Sequence, residues 1–256
     1  MGGSAGPNIR TKDLVFCIDY ADPNSYPGTG TDLFDCSNNE FTVGDIRGLG
    51  AGEGNGFTNQ FFGGINTTSS VADTKTIFAN IPNSSVLTFF TGSYTLEAVF
   101  SPSGFADSTY FGLENVIIAK GGFSTLNYLM QINATQLTHC KRTPGESLIF
   151  DDFSTTFTSG SVYHCVLSIS PDGNEVTGYQ NGVKLGTATI GGLEIGPDSD
   201  GSDPFYVPAS GGTGDPIEQM NFQGTLFTAR IYSASLSEDD VIQNYNALKG
   251  RFKIWV

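Results

Sequence analysis

The amino-acid sequence predicts an all-β protein, a two-sheet antiparallel sandwich that ends in one short C-terminal α-helix at about residues 236–250. Short runs rich in β-branched and aromatic residues alternate with turns, and only the C-terminal segment has the spacing of an amphipathic helix. The chain has 33 glycines and 20 phenylalanines, and 15% of its residues are charged against about 25% in a typical domain. Tight turns around an aromatic core fit a single sandwich domain, which is ordinary at 256 residues.

The predicted strands follow one another with polar connections. The strongest signal is Asn181–Gly182, a pair that favours a two-residue hairpin turn, here between Glu175–Gln180 and Lys184–Thr189. Residues 1–13 are a glycine-rich lead, residues 14–252 the domain and residues 253–256 an apolar tail. The other predicted strands are Leu14–Ile18, Lys75–Ala79, Ser85–Phe90, Ser93–Phe100, Val116–Lys120, Tyr128–Asn133, Gln136–Lys141, Val162–Ile169 and Leu226–Tyr232.

The C-terminal helix is predicted from its cap and its apolar face. The Ser237 hydroxyl can accept a hydrogen bond from the N–H of Asp240, and acidic residues fill the first turn, where the positive helix end favours them. Gly250 can take the left-handed conformation that ends a helix. The residues expected to pack on the sandwich are Val241, Ile242, Tyr245 and Leu248.

The closing segment resembles the concanavalin A-like lectin/glucanase superfamily in its laminin G-like form. In such domains a strand ending in Arg-Ile-Tyr precedes a short helix opening with Leu-Ser-Glu, as Arg230–Tyr232 and Leu236–Glu238 do here. The continuation Gln243–Phe252 is similar to the form found in structural proteins of tailed bacteriophages, especially marine ones. The opening turns, Asp19–Asn39, and the strand Ser93–Phe100 resemble the same domains. The resemblance implies a two-sheet antiparallel jelly-roll sandwich.

This resemblance implies a non-catalytic structural protein of a phage virion, such as a head-surface decoration, fibre or knob. Its partners would then be other capsid or tail proteins, with assembly in the host cytoplasm and a final place on the virion surface. The alternative is a carbohydrate-binding module that recognises a host-surface glycan. No residue identifies a sugar site, and a homo-oligomer fits either interpretation.

Charge and hydropathy exclude several classes of partner. The formal charge is −14, from 26 acidic against 12 basic residues, and no Lys/Arg cluster exists to contact phosphates. Nucleic acid and anionic membrane surfaces are therefore not expected partners. The N-terminal residues lack the pattern of a signal peptide, and no apolar run approaches the roughly 20 residues of a membrane helix.

Catalysis by the superfamily's hydrolase mechanism is not expected. Its glucanases carry Glu-x-Asp-x-Glu or Glu-x-Asp-x-x-Glu on one strand, which places a nucleophile and an acid across the substrate. This chain has neither motif. Glu97 lies in a predicted strand without a second acid two or four residues later.

The cysteines and histidines are expected to be structural. Cys17, Cys36, Cys140 and Cys165 lack Cys-x-x-Cys spacing, so a zinc site is not predicted and free thiols are expected. His139 and His164 each precede a cysteine on a predicted strand, so a Cys–His pair could form only across strands. We expect instead buried cysteines with histidines at the rim of the sheets.

Two further segments carry a binding hypothesis. In the insertion Gly196–Pro204, Asp198, Asp200 and Asp203 surround Gly201; this oxygen-rich loop is either a calcium site or a solvated acidic turn, and no cofactor is assigned. The tail places three apolar residues at the chain end. We expect this group, Ile254, Trp255 and Val256, to dock on a partner rather than on the domain.

Overall fold

The computed structural model describes residues 8–28, 32–41, 43, 46–47, 56–57, 65–67, 78–81, 85–87, 89, 92–105, 115–121, 126–142, 147–190, 205–208 and 222–254. The strands in these ranges are β1 (Leu14–Asp19), β2 (Ile46–Arg47), β3 (Gly56–Phe57), β4 (Ile65–Thr67), β5 (Phe78–Ile81), β6 (Thr95–Pro102), β7 (Val116–Lys120), β8 (Tyr128–Asn133), β9 (Gln136–Arg142), β10 (Leu148–Ser154), β11 (Tyr163–Ile169), β12 (Glu175–Gln180), β13 (Val183–Thr189), β14 (Phe205–Val207) and β15 (Gly224–Tyr232). The helices are a 3₁₀ turn at Ser85–Leu87 and α1 (Glu238–Phe252).

The strands form two antiparallel sheets, as the sequence predicts for a jelly roll. In the described part of the chain, one sheet has eight strands, with the order β13-β12-β11-β6-β15-β4-β3 and with β1 also paired to β15. One edge of β15 pairs with β6, and its other edge is shared by β4 and β1. The second sheet has seven described strands in the order β10-β9-β8-β7-β14-β5-β2.

The space between the sheets is filled mainly by aromatic and branched side chains. Phe89 and Tyr94 stack with ring centroids 5.0 Å apart, and the Tyr94 and Tyr128 rings are also 5.0 Å apart. A second group at the other end of β6 joins Phe100 to Phe157 and Phe222. These buried phenylalanines and tyrosines thus form much of the described core, where offset and edge-on ring pairs add to the burial of apolar area.

Helix α1 forms a third layer on the outer face of the eight-stranded sheet. The Ser237 Oγ accepts from the Asp240 N–H at 3.3 Å, as predicted. The Asp240 side chain also accepts from the Ser237 N–H at 3.1 Å, which makes the cap reciprocal. The helix continues past Gly250 and ends at Phe252, because Lys253 takes the left-handed conformation instead. The prediction that Gly250 ends the helix is therefore wrong.

The buried face of α1 also differs from the predicted one. Val241 and Leu248 are buried as expected, whereas Ile242 is 37% exposed and Tyr245 is only partly buried. Their places on the buried face are taken by Asn244, which is inaccessible to solvent, and by Phe252. The apolar face of the helix is therefore interrupted by one polar residue, Asn244, which hydrogen-bonds to Glu97 of the sheet.

Most predicted strands are confirmed within one or two residues, including the Asn181–Gly182 hairpin with positive φ at both residues. Ser85–Phe90 is wrong at Ser85–Leu87, which form a 3₁₀ turn. Of the predicted strand Lys75–Ala79, Phe78 and Ala79 lie in β5, and residues 75–77 lie outside the described residues. Strands β10 and β14 were not predicted. In β10 the adjacent Asp151 and Asp152 interrupt the apolar pattern. Asp151 accepts a hydrogen bond from His139 and Asp152 accepts one from Thr138, so both acids are satisfied within the sheet.

Candidate functional site

The most concentrated group of titratable side chains lies beneath α1, around Glu97. This residue points outward from β6 and is completely buried by the helix. Its Oε1 lies 2.7 Å from Nε2 of His164, and its Oε2 accepts from the Tyr232 hydroxyl at 2.9 Å. The Asn244 Nδ2 donates both to Glu97 Oε2 at 3.2 Å and to the Tyr232 oxygen at 3.0 Å. The polar residue on the helix's buried face is therefore the helix's contribution to this group.

The hydrogen bonds define the protonation states that fit. A carboxylate only accepts, so His164 donates to Glu97 through Nε2, and its Nδ1 has no hydrogen-bond partner among the described residues. Burial alone would raise the pKa of Glu97, but the hydrogen bond from His164, the Arg230 charge and the Tyr232 hydroxyl more than offset this and lower it. Burial and the neighbouring carboxylate raise the pKa of Tyr232, which therefore remains a donor.

A second carboxylate, Asp19, joins this group to the end of the helix. Arg251 binds it with two hydrogen bonds, from Nη1 to Oδ2 at 2.6 Å and from Nη2 to Oδ1 at 2.7 Å. Arg230 lies between the two acids, with its Nη2 3.3 Å from Asp19 and its Nη1 3.8 Å from Glu97. Two carboxylates thus face two guanidinium groups of opposite charge; Glu97, Asp19 and Arg230 are buried, whereas the Arg251 side chain is 36% exposed.

The opening segment 19–39 and the closing segment 221–252 of the sequence converge on these contacts. Ile231 points into the core, while its neighbours Arg230 and Tyr232 point outward, as alternation in a strand requires. These outward-facing side chains therefore belong to the joint between sheet and helix rather than to an accessible site. The residues that form this joint are Asp19 from the opening segment, Glu97 from β6, His164 from β11, Arg230 and Tyr232 from β15, and Asn244 and Arg251 from α1.

The histidines are not at the rim, as the sequence suggested. Both are inaccessible to solvent. His139 lies between the sheets, with Nε2 2.8 Å from the Tyr94 hydroxyl and Nδ1 3.1 Å from Asp151 Oδ2. His139 and Cys140 project to opposite faces of β9, because His139 reaches the core while Cys140 joins a separate apolar cluster. The described contacts of the histidines are to tyrosine and carboxylate rather than to thiol.

A second feature is a double turn formed by residues 19–28 and 32–41, which carries an exposed aromatic side chain. Phe34 N–H donates to the Ser25 carbonyl at 2.8 Å, and the Ser25 hydroxyl donates to the Phe34 carbonyl at 2.7 Å. Asp35 accepts from the N–H groups of Cys17, Ser37 and Phe41. These bonds fix the backbone, yet the Phe34 side chain is 49% exposed. An aromatic ring held at the surface by a rigid turn is suited to contact a ligand.

The prediction that the apolar C-terminal residues dock on a partner is wrong for Ile254. Its side chain is 3% exposed and packs with Leu248, Phe252 and Phe227, so it docks on its own domain. Its N–H donates to the Lys249 carbonyl at 2.9 Å, which closes the helix end. Trp255 and Val256 lie outside the described residues, as do the proposed calcium ligands Asp198, Asp200 and Asp203.

Within the part of the chain that the structure describes, no group of three or more His, Cys, Asp or Glu residues is arranged to hold a metal ion. All four cysteines are free thiols. None of the described helices has the length and apolar character needed to span a bilayer.

Comparison with known families agrees with this architecture. A laminin G-type family model, described as the concanavalin A-like lectin/glucanases superfamily, matches residues 73–242, which is more than half of the chain. The chain belongs to this superfamily and is a lectin-like jelly roll. No curated protein sequence matches it.

Solved structures that resemble it include toxin binding domains. The binding domain of Paraclostridial Mosquitocidal Protein 1 aligns with a TM-score of 0.64 at 14% identity, over 92% of this chain and 52% of that one. The binding domain of botulinum neurotoxin DC, in complex with rat synaptotagmin II, gives 0.65 at 13% identity over 92% and 52%. A structure on cell entry of botulinum neurotoxin type C, described as dependent on two ganglioside molecules, gives 0.65 at 11% identity over 92% and 51%. This chain spans about half of each, and the likeness shows the fold.

Proposed function

We propose that this chain is a non-catalytic structural component of a tailed-phage virion, in which the lectin-like sandwich serves attachment. The observation that carries the non-catalytic part is the burial of Glu97, an acid in a strand that lacks the second acid of the superfamily's glucanase motif. With 0% exposure and both oxygens bonded to His164, Tyr232 and Asn244, this carboxylate has a structural role and is closed to a polysaccharide.

Incubation of the purified protein with β-glucan, agar, carrageenan and alginate tests the absence of hydrolysis. We expect no release of reducing ends above that of a boiled sample. Turnover that disappears in a folded Glu97→Gln variant would overturn this part of the proposal.

The virion role is supported by the resemblance of the opening segment 19–39 and the closing segment 221–252 to phage structural domains. Mass spectrometry of purified particles of the phage that encodes this chain tests it, with peptide intensities compared with those of the major capsid protein to give copy number. An antibody that labels intact particles would locate the chain at the surface. Absence of the chain from the particles would contradict the proposal.

Recognition of a glycan is the second candidate, and Phe34 favours it. Sugar sites commonly pair an aromatic face with nearby polar groups, and exposed Asn24 precedes Ser25, the residue bonded to Phe34 in the double turn. Similar domains are reported with gangliosides and with a protein receptor, which supports a binding role for the fold without identifying a ligand.

A glycan array with the wild-type protein and two variants tests this candidate. Phe34→Ala should abolish selective binding, whereas Val183→Ala, which truncates a 62% exposed side chain on the β12–β13 hairpin, should retain it. Binding retained in Phe34→Ala would exclude this surface while leaving lectin activity in place. No binding by the wild type would exclude glycan recognition and leave the virion role to particle analysis.

A further inference from the structure

Two cysteines lie side by side where the double turn meets β1. Cys17 lies in β1, and the segment containing Cys36 runs along the edge of β1 opposite β15. The Cys36 N–H donates to the Cys17 carbonyl at 2.7 Å, and the Cys17 N–H donates to Asp35 Oδ1 at 2.8 Å. With the Cys17 carbonyl oxygen 2.7 Å from the Cys36 nitrogen, standard bond lengths limit the distance between the two Cα atoms to roughly 6.5 Å or less, which is within the range that a disulfide bridges.

The two thiols differ in accessibility and in acidity. Cys17 is 7% exposed, whereas Cys36 is only partly buried. A hydrogen bond between the thiols, together with burial, raises the pKa of Cys17. The same hydrogen bond lowers the pKa of Cys36 although burial opposes it. Cys36 is therefore the thiol that forms a thiolate more readily and that solvent reaches first.

The other two cysteines lack such a neighbour in the described structure. Cys140 and Cys165 are inaccessible to solvent and lie on different sheets. Burial raises the pKa of both thiols, so they remain protonated and unreactive. They provide internal controls for any reaction at the double turn.

We propose that Cys17 and Cys36 form a reversible disulfide, and that this pair is the chain's site of exchange with low-molecular-weight disulfides such as oxidised glutathione. The Cys36 thiolate attacks one sulfur of the reagent, breaks its S–S bond and releases one glutathione thiolate. Cys17 then loses its proton and attacks the Cys36 sulfur of the mixed disulfide, which releases the second glutathione. Two protein thiols are oxidised, one glutathione disulfide is reduced, and the two protons end on the released thiols.

The bond would close a covalent loop around the double turn. That loop contains Asp19, which binds Arg251 of the helix, and Ser25 and Phe34, which join the two turns. A cross-link over a loop of this size should raise the melting temperature of the oxidised protein by about 5–10 °C relative to the reduced one. The thiol pair would thus act as a covalent fastener that closes in oxidising surroundings.

The test is to incubate the reduced full-length protein with oxidised glutathione and count thiols in denaturant. We expect a fall from four free thiols to two, loss of two hydrogens in intact mass, and a Cys17–Cys36 cross-linked peptide. Cys140→Ala should still lose two thiols. Cys36→Ser should keep all of its remaining thiols, and circular dichroism checks that both variants are folded.

Three results would overturn the proposal. The first is persistence of four thiols in the folded wild type at high oxidised glutathione. The second is a stable glutathione adduct at Cys36 that never closes, which would show that Cys17 cannot reach it. The third is a cross-link that includes Cys140 or Cys165 instead.

Discussion

Glu97 and His164 lie on neighbouring strands of the eight-stranded sheet, and the Oε1 of Glu97 is 2.7 Å from the Nε2 of His164, with both side chains inaccessible to solvent. An acid and a histidine at this distance would indicate catalysis in an open cleft. Here the helix covers them, and Asn244 of that helix donates to the same carboxylate. The pair therefore fixes the position of α1 on the sheet.

Replacement of Glu97 by Gln should destabilise the fold. The variant keeps the size of the side chain but removes the negative charge that lies 3.8 Å from Arg230 Nη1. It also replaces the carboxylate that accepts the Tyr232 hydrogen bond with a neutral amide. Removal of one partner from a buried ionic group costs about 3–5 kcal/mol. Urea unfolding measures this, and Glu175→Gln at an exposed position of β12 is the matched control. An equal midpoint for the two variants would show that the buried contacts contribute no net stability.

The same carboxylate should make stability depend on pH in the acid range. The pKa of Glu97 is lower in the folded protein than its usual value near 4.3, so its contribution is fully present above that value and is lost as the pH falls through the folded pKa. The pKa of Asp240 is also lowered, because hydrogen bonds from Ser237 and Arg10 outweigh the effect of burial, and it acts in the same window.

Denaturant midpoints measured from pH 6 down to pH 3 separate the two groups. The wild type should lose stability more steeply than Glu97→Gln, because the variant has already lost the titrating group. The residual slope of the variant contains the Asp240 contribution. Parallel profiles for the two proteins would contradict a lowered pKa at Glu97.

The sequence was sufficient to predict most strands and the helix, but not the polar contacts that join the helix to the sheet. Alternation and β-branched residues predicted β7 and β8 to the residue, because these strands lie in the sheet with clear apolar patterns. The apolar spacing of the helix predicts Ile242 on its buried face and gives no reason to place Asn244 there. The sequence does contain a signal for this contact: Asn244 is a polar residue on an apolar helix face, and Glu97 is an acid in an apolar strand. Pairing the two requires knowledge of which strand the helix crosses, and that depends on tertiary contacts.

The helix face can be tested by comparing two aliphatic residues on the same helix. Leu248→Ala removes a side chain that is 1% exposed and packs with Val99 and Phe227, so it should cost about 2–5 kcal/mol. Ile242→Ala changes a side chain that is 37% exposed and should cost no more than about 0.5 kcal/mol. Chemical denaturation measures both. A larger loss for Ile242 than for Leu248 would show that the helix is rotated from the orientation described here.

The chain end separates into a part that packs on the domain and a part that remains a docking hypothesis. Ile254 contacts Leu248 and Phe252, so Ile254→Ala should lower stability by about 2–4 kcal/mol. Deletion of Trp255 and Val256 alone should leave the melting temperature unchanged if these residues bind a partner. The same deletion should then reduce incorporation into particles or self-association, measured by particle mass spectrometry and by analytical ultracentrifugation. Ile254→Ala is the control, because it should lower stability while keeping Trp255 and Val256. A large drop in melting temperature with incorporation intact would show that Trp255 and Val256 belong to the domain's own packing.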